Sequence, residues 1–218
     1  MSARRSYGDQ CGVARALDLL GERWALLVVR ELLFGPKRFT DLRAGLPNLG
    51  PDVLSQRLRD LEAAGVLHRR TLEPPAAARV YELTERGQAL EPLLIELGRW
   101  GSSAPFPSED AVFGPDSFVL ALKTVFDRDR AAGIDAGYEL RLGPDRFAVE
   151  IRDGELELRR GGLEGADATI EADVGTLAEL LWRNGSLDRA LETGVLTIEG
   201  SKRSMARFLA LFPVPAPA

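Results

Sequence analysis

The stretch GPDVLSQRLRDLEAAGVLHRR, Gly50 to Arg70, decides the reading of the first half of the chain. At about 100° per residue, Leu54, Leu58 and Leu61 fall on one side of a helix. Asp52 and Gln56 lie nearly opposite, with Ser55 and Arg59 beside them. Arg57 falls near the apolar edge, so it is expected to pair or to cover the core. Gly65 stops the helix, and the chain passes to a strand carrying Arg69 and Arg70. The open face therefore presents Gln and Arg, whose side chains can make two hydrogen bonds to adenine or guanine edges. Ser can bond either a base or a phosphate.

Working outward, RWALLVVRELLFG is apolar nearly all round from Trp24 to Phe34, which predicts a buried central helix ending at Gly35-Pro36. Before it, Val13, Leu17 and Leu20 form an apolar stripe. After it, RFTDLRAGLP predicts a short helix capped by Thr40 or a neighbour. Beyond the opening stretch, VLHRRTLEPPAAARVYELT predicts two strands around a loop with Pro74 and Pro75 and an uncharged tip. Thr84 can cap a helix from Glu85 to Trp100, striped by Leu90, Leu93, Leu94, Leu97 and Trp100. Pro92 should kink or split it.

That order is a winged helix-turn-helix, whose third helix enters the major groove. Asp52, Ser55, Gln56 and Arg59 are then the candidate groove contacts. Arg38 and Thr40 join them from the short helix. Arg69, Arg70 and Arg79 would set the wing against phosphates or the minor groove. The expected partner is double-stranded DNA.

Charge agrees only mildly. The chain has 218 residues and net charge −5. Through Ala104 there are 15 Lys+Arg and 13 Asp+Glu, net +2, and the remainder is −7. From Lys37 to Arg70 seven basic residues face four acidic ones, a patch of +3 that is also compatible with an ordinary solvated surface. One cysteine cannot form an internal disulfide, and one histidine with one cysteine does not make an ordinary zinc site. No apolar run approaches membrane-spanning length, and MSARRSYGDQCGVARALDLLGERW lacks the apolar core of a secretory signal. No membrane partner and a cytoplasmic location are expected.

The segment from Cys11 through ERW, RFTDL, LSQRLRDLEAAGVL and YELTERG to the later WG resembles the HxlR family of bacterial transcriptional regulators, relatives of MarR proteins, over about residues 10 to 101. The resemblance implies a homodimer on a near-palindromic operator, most commonly as a repressor. It also implies a thiol-sensing role for Cys11, whose pKa Arg15, one turn on, could lower if the thiol is exposed. The alternative for Cys11 is an inert packing residue. His68 reads as a strand residue, and Trp24, Tyr81 and Trp100 as core or dimer anchors.

GSSAPFPSEDAVFGP, Gly101 to Pro115, lacks periodicity and reads as a linker. The predicted domains are 1–101 and 113–218, joined by 102–112. The second half opens with an amphipathic helix near Asp116 to Ala131. Three alternating strands follow, centred on Tyr138–Leu142, Phe147–Ile151 and Leu156–Leu158, with Asp153-Gly154 as a hairpin turn. Further strands are predicted at Ala168–Ala172 and Leu196–Glu199, with helices between and after them. One sheet face is apolar and the other charged, which predicts an antiparallel or mixed five-stranded sheet covered by helices on one face. The chain as a whole is thus α+β with two domains.

FAVEIRDGELELRRG, ADATIEAD and the strand-to-helix step at Gly200 are similar to sterol-carrier-protein-like domains over about residues 113 to 212. This implies a pocket for an apolar or amphipathic small molecule. Its candidate lining is Phe118, Leu122, Phe126, Phe147, Leu181, Trp182, Met205 and Phe208. The same residues could simply fill the core. No P-loop, Rossmann fingerprint or nucleophile elbow is present, and neither an enzyme nor a cofactor is expected. The sequence thus points to a dimeric, sequence-specific regulator, with an apolar small molecule in the second domain as its candidate control. A lipid-like carrier dimerised by its first half and a thiol-sensing regulator are the alternatives.

Overall fold

The computed structural model describes residues 6–74, 77–102, 104 and 113–214. Contacts divide the chain into two compact units, Met1–Leu94 and Ile95–Ala218. Of the expected linker 102–112, Ser102 and Ala104 are described and the rest lies outside the described residues.

The first unit runs α1 (Gly12–Leu20), α2 (Ala25–Leu32), α3 (Phe39–Gly45), α4 (Pro51–Ala63), β1 (Leu67–Thr71), β2 (Arg79–Leu83) and α5 (Glu85–Gln88). It is the expected winged helix-turn-helix order. Val28, Val29 and Leu32 of α2 meet Leu42 of α3 and Leu54, Leu58 and Leu61 of α4 in a sealed core. One expectation needs correction: α2 is not buried all round, since Leu27 is exposed. The cap of α3 is a neighbour of Thr40, Arg38, and Thr40 itself lies inside the helix. At Pro92 the helix expected from Glu85 to Trp100 is split, as expected, into α5 and α6 (Glu91–Gly101), with Pro92 in the first turn of the second. A proline there gives up only an N–H that would have had no helical partner. Thr84 caps α5 as expected, accepting from the Gly87 amide at 3.2 Å.

The second unit, beyond α6, holds α7 (Pro115–Val125), α8 (Arg128–Ala131), β3 (Ala136–Leu142), β4 (Asp145–Arg152), β5 (Glu155–Arg160), β6 (Ala168–Ala172), α9 (Val174–Trp182), α10 (Leu187–Glu192), β7 (Leu196–Gly200) and α11 (Lys202–Ala210). The sheet order is β5-β4-β3-β6-β7, with β3 and β6 parallel and the other neighbours antiparallel. It is the mixed five-stranded sheet. The helix expected over Asp116–Ala131 breaks at Phe126, where the backbone turns extended and Asp127 caps α8 by accepting from the Asp129 and Arg130 amides. Tyr138, Leu140, Phe147, Val149, Ile151 and Ile170 form the buried face of the sheet. The opposite face carries the charges, yet Glu139 there is buried. It accepts from Arg141 at 2.8 Å and from the Leu163 amide at 3.0 Å. Leu163 lies directly over Gly137, where a Cβ would collide with it.

Candidate nucleic-acid interface

The interface is built on α4. Gly50 and Pro51 start the helix, Gly65 turns the chain out of it with a left-handed backbone (φ +69°), and Leu54, Leu58 and Leu61 anchor its inner side. This leaves Asp52, Gln56 and Arg59 exposed, while Ser55 is half-buried. The outward groups are already ordered. Arg59 Nη2 donates to Gln56 Oε1 at 2.7 Å, and Gln56 Nε2 donates to Asp60 Oδ1 at 2.8 Å. Gln56 keeps one N–H and one lone pair, the pair of functions that recognises adenine. Arg57 behaves as its wheel position predicts. Its side chain is 13% exposed, and its guanidinium sits 3.4 Å from the carboxylates of both Glu22 and Asp60.

At α3 the Asp41 carboxylate accepts from the Arg38 amide at 3.1 Å and from the Thr40 hydroxyl at 3.2 Å. The Arg38 side chain is exposed. The wing hairpin pairs Leu67 with Leu83 through Thr71 with Arg79. A one-residue extension joins it, because Lys37 and Tyr81 exchange both backbone hydrogen bonds at 3.0 and 2.8 Å. Two wing arginines are engaged by carboxylates. Arg69 donates from Nε and Nη2 to Glu62 at 3.0 and 2.6 Å. Arg70 uses the same two nitrogens on Glu82, and His68 lies 3.6 Å from that carboxylate. The Arg69 guanidinium pulls the Glu62 carboxyl below its usual range, and Glu62 raises Arg69 in return. Arg79 makes no ion pair among the described residues. Arg69, Arg70 and Arg79 line a cleft of about 420 Å³ with Phe39, Thr71, Val80 and Tyr81. The wing tip at Pro75 and Ala76 lies outside the described residues.

Glu31 was missed from sequence. It is 2% exposed and held by Arg30 at 2.9 Å and Lys37 at 2.8 Å. The end of α3 passes so close that a Cβ on Gly45 would meet its carboxylate. The signal was a lone Glu within an apolar helix, followed six residues later by Lys. A buried carboxylate of that kind requires charged partners.

Cys11 is exposed, so it is not a packing residue. The amides of Val13 and Ala14, at the start of α1, lower its thiol pKa. The cause is the helix terminus rather than Arg15. Val13 and Leu17 on α1, and Leu93, Leu97 and Trp100 on α6, are exposed apolar side chains.

In the second unit, Phe118, Leu122, Phe147, Leu181, Met205 and Phe208 are buried. Phe118 lies 5.5 Å from the Trp182 ring and Phe208 5.2 Å from the Tyr138 ring. They are core in this structure. Phe126 alone of the eight candidates lines the cleft of about 650 Å³ formed by Arg99, Ser102, Thr124–Arg130, Pro213 and Val214. The Tyr138 hydroxyl and Trp182 Nε1 are buried without a hydrogen-bond partner among the described residues. No cluster of metal-ligating side chains occurs among the described residues.

Residues 19–108 match the family described as HxlR-like helix-turn-helix. The chain is 42% identical over 94 residues to the uncharacterized HTH-type transcriptional regulator YvaP of Bacillus subtilis (strain 168), covering 43% of this chain and 87% of that protein. The chain belongs to the HxlR-like family. Within it, the HTH-type transcriptional regulator YodB of the same organism is 33% identical over 94 residues, covering 43% of this chain and 84% of the relative. A solved structure titled "Redox regulator HypR in its oxidized form" shares 34% identity, covers 44% of this chain and 99% of its own, and gives a TM-score of 0.40. These relatives are transcriptional regulators, and the HxlR-like unit carries the DNA-binding helix-turn-helix. Residues 115–218 match a family described as alkyl sulfatase C-terminal. That description does not name a sterol carrier.

Proposed function

We propose that this protein is a dimeric, sequence-specific regulator of transcription, acting in the cytoplasm as a repressor. The observation that carries the reading is the ordered Arg59–Gln56–Asp60 row on the open side of a helix whose other side is sealed into the core. Gln56 and Arg59 read base edges, assisted by Ser55 and Asp52. Arg38, Thr40 and Arg79 meet the phosphates, which supply affinity and register rather than sequence information. Exposed apolar side chains on α1 (Val13, Leu17) and, separately, on α6 (Leu93, Leu97) support a homodimer, since exposed apolar surface marks association sites. Two copies bring two α4 helices to two half-sites of a near-palindromic duplex. A mobility-shift titration with the DNA flanking its own gene tests the reading. Selective binding by the wild type, lost in Gln56→Ala and Arg59→Ala, is expected. Equal, unselective binding by all three proteins contradicts it.

A second reading concerns control. The unpartnered Tyr138 hydroxyl and Trp182 Nε1 favour a small apolar molecule with polar atoms entering between sheet and helices of the second unit, because buried polar groups are normally hydrogen-bonded. The exposed, acidified Cys11 supports a thiol response instead. Cys11→Ser removes any oxidant response under the thiol reading and leaves a ligand response intact.

A further inference from the structure

The wing holds three arginines, and they are not equivalent. Arg79, at the start of β2, has no carboxylate partner among the described residues. Arg69 and Arg70 each give their Nε–Nη2 fork to a glutamate. Neighbours on a strand point to opposite faces, so the two forks hold different things. Arg70 closes on Glu82 within the hairpin. Arg69 reaches back seven residues, across the Gly65 turn, to Glu62 in the last turn of α4.

We infer that Arg69 is not a phosphate ligand but a positioning residue, latched to Glu62 so that the wing is held at a fixed angle to the reading helix. The inference rests on the DNA-binding reading above. The fork geometry that suits a phosphate is the one already occupied by the Glu62 carboxylate, and a bidentate pair fixes direction as well as distance. The pair is neutral, so a phosphate approaching it meets a dipole rather than a cation. Releasing Arg69 to DNA would leave Glu62 beside the phosphates. The latch instead sets where Arg79 falls when Gln56 and Arg59 are in the groove. Arg69 and Glu62 are 58% and 31% exposed, so the pair contributes little to folding. Its effect belongs to binding.

The two roles separate in the salt dependence of affinity. A cation on a phosphate releases a counterion when it binds, and removing it flattens the plot of log K against log salt by about one unit. A latch carries no such ion. The test uses full-length protein and the duplex it selects from random oligonucleotides, with melting temperature measured in parallel. Arg69→Gln is expected to weaken binding by roughly three- to tenfold with the salt slope and melting temperature unchanged. Arg79→Gln is expected to flatten the slope by about one unit per protomer. The charge swap Glu62→Arg/Arg69→Glu is expected to restore affinity to within about twofold of wild type. A flatter slope for Arg69→Gln, tighter binding by Glu62→Gln, or no rescue by the swap overturns the latch. If the wild type selects no sequence, the regulator reading fails and the latch fails with it. Failure confined to the variants is the latch's own.

Discussion

The two units differ in how some of their arginines are held. On the open face of the second unit's sheet, Arg141 lies within 4 Å of Glu139, Glu171 and Glu199, and Arg152 and Arg159 both close on Glu150. Same-face spacing, along one strand (Glu139 and Arg141, Glu150 and Arg152) and across strands (Arg141 with Glu171, Arg159 with Glu150), brings each of these arginines to a carboxylate, and that half of the chain keeps an acidic surplus. In the first unit, Arg38, Arg59 and Arg79 have no carboxylate partner among the described residues, although the local charge is only mildly positive. The candidate contacts Arg38, Arg59 and Arg79 are thus cations without a carboxylate partner among the described residues, in a region whose net charge is only mildly positive.

The sharpest way to break this contrast is substitution on both sides. Gln56→Ala with Arg59→Ala should cost about 2–6 kcal/mol of selective affinity, two base-edge contacts' worth. The two side chains are hydrogen-bonded to each other, so the single effects should not add. Arg141→Ala with Arg159→Ala should leave DNA affinity unchanged in the same mobility-shift assay. Next in size is Glu31→Ala, which removes the buried carboxylate held by Lys37 and Arg30 and should cost about 3–5 kcal/mol in denaturant unfolding. A loss under about 1 kcal/mol would show that solvent reaches those cations easily.

Tyr138→Phe sharpens the view of the second unit. It removes a buried hydroxyl with no hydrogen-bond partner among the described residues, so it should leave the ligand-free protein as stable or raise it by about 1 kcal/mol. A loss of that size would mean that the hydroxyl is satisfied in solution. Cys11 should show the smallest effect. Its pKa is lowered, so alkylation by iodoacetamide should reach half-maximal rate at a pH below the free-thiol value of about 8.5. The rate rises as pH passes upward through the thiol pKa. A midpoint at or above the free-thiol value contradicts the helix-terminus effect.

The sequence made the architecture legible wherever periodicity was strong. Leu54, Leu58 and Leu61 fixed the face of α4, and their spacing also kept Arg57 inward, where Glu22 and Asp60 meet it. The alternation from Tyr138 to Leu158 gave the three-stranded core of the sheet. Interactions between distant residues were not legible. Nothing local announces that Glu62 would take Arg69, or that Glu31 would be buried beside Gly45. The break at Phe126 was also hidden, since an apolar residue followed by Asp, Arg and Asp continues a helical pattern as readily as it ends one. Spacing alone could not separate a packed core from a pocket lining; Phe118, Phe147 and Phe208 are buried, while Phe126 lines a cleft.

The most direct test is selection of bound duplexes from random oligonucleotides by the full-length protein. The account predicts a near-palindrome with half-site centres about one helical turn, 10–10.5 base pairs, or a multiple of it apart. It further predicts that base preference within each half-site relaxes in Gln56→Ala. Recovery of no enriched sequence, or an identical sequence selected by wild type and Gln56→Ala, would contradict it.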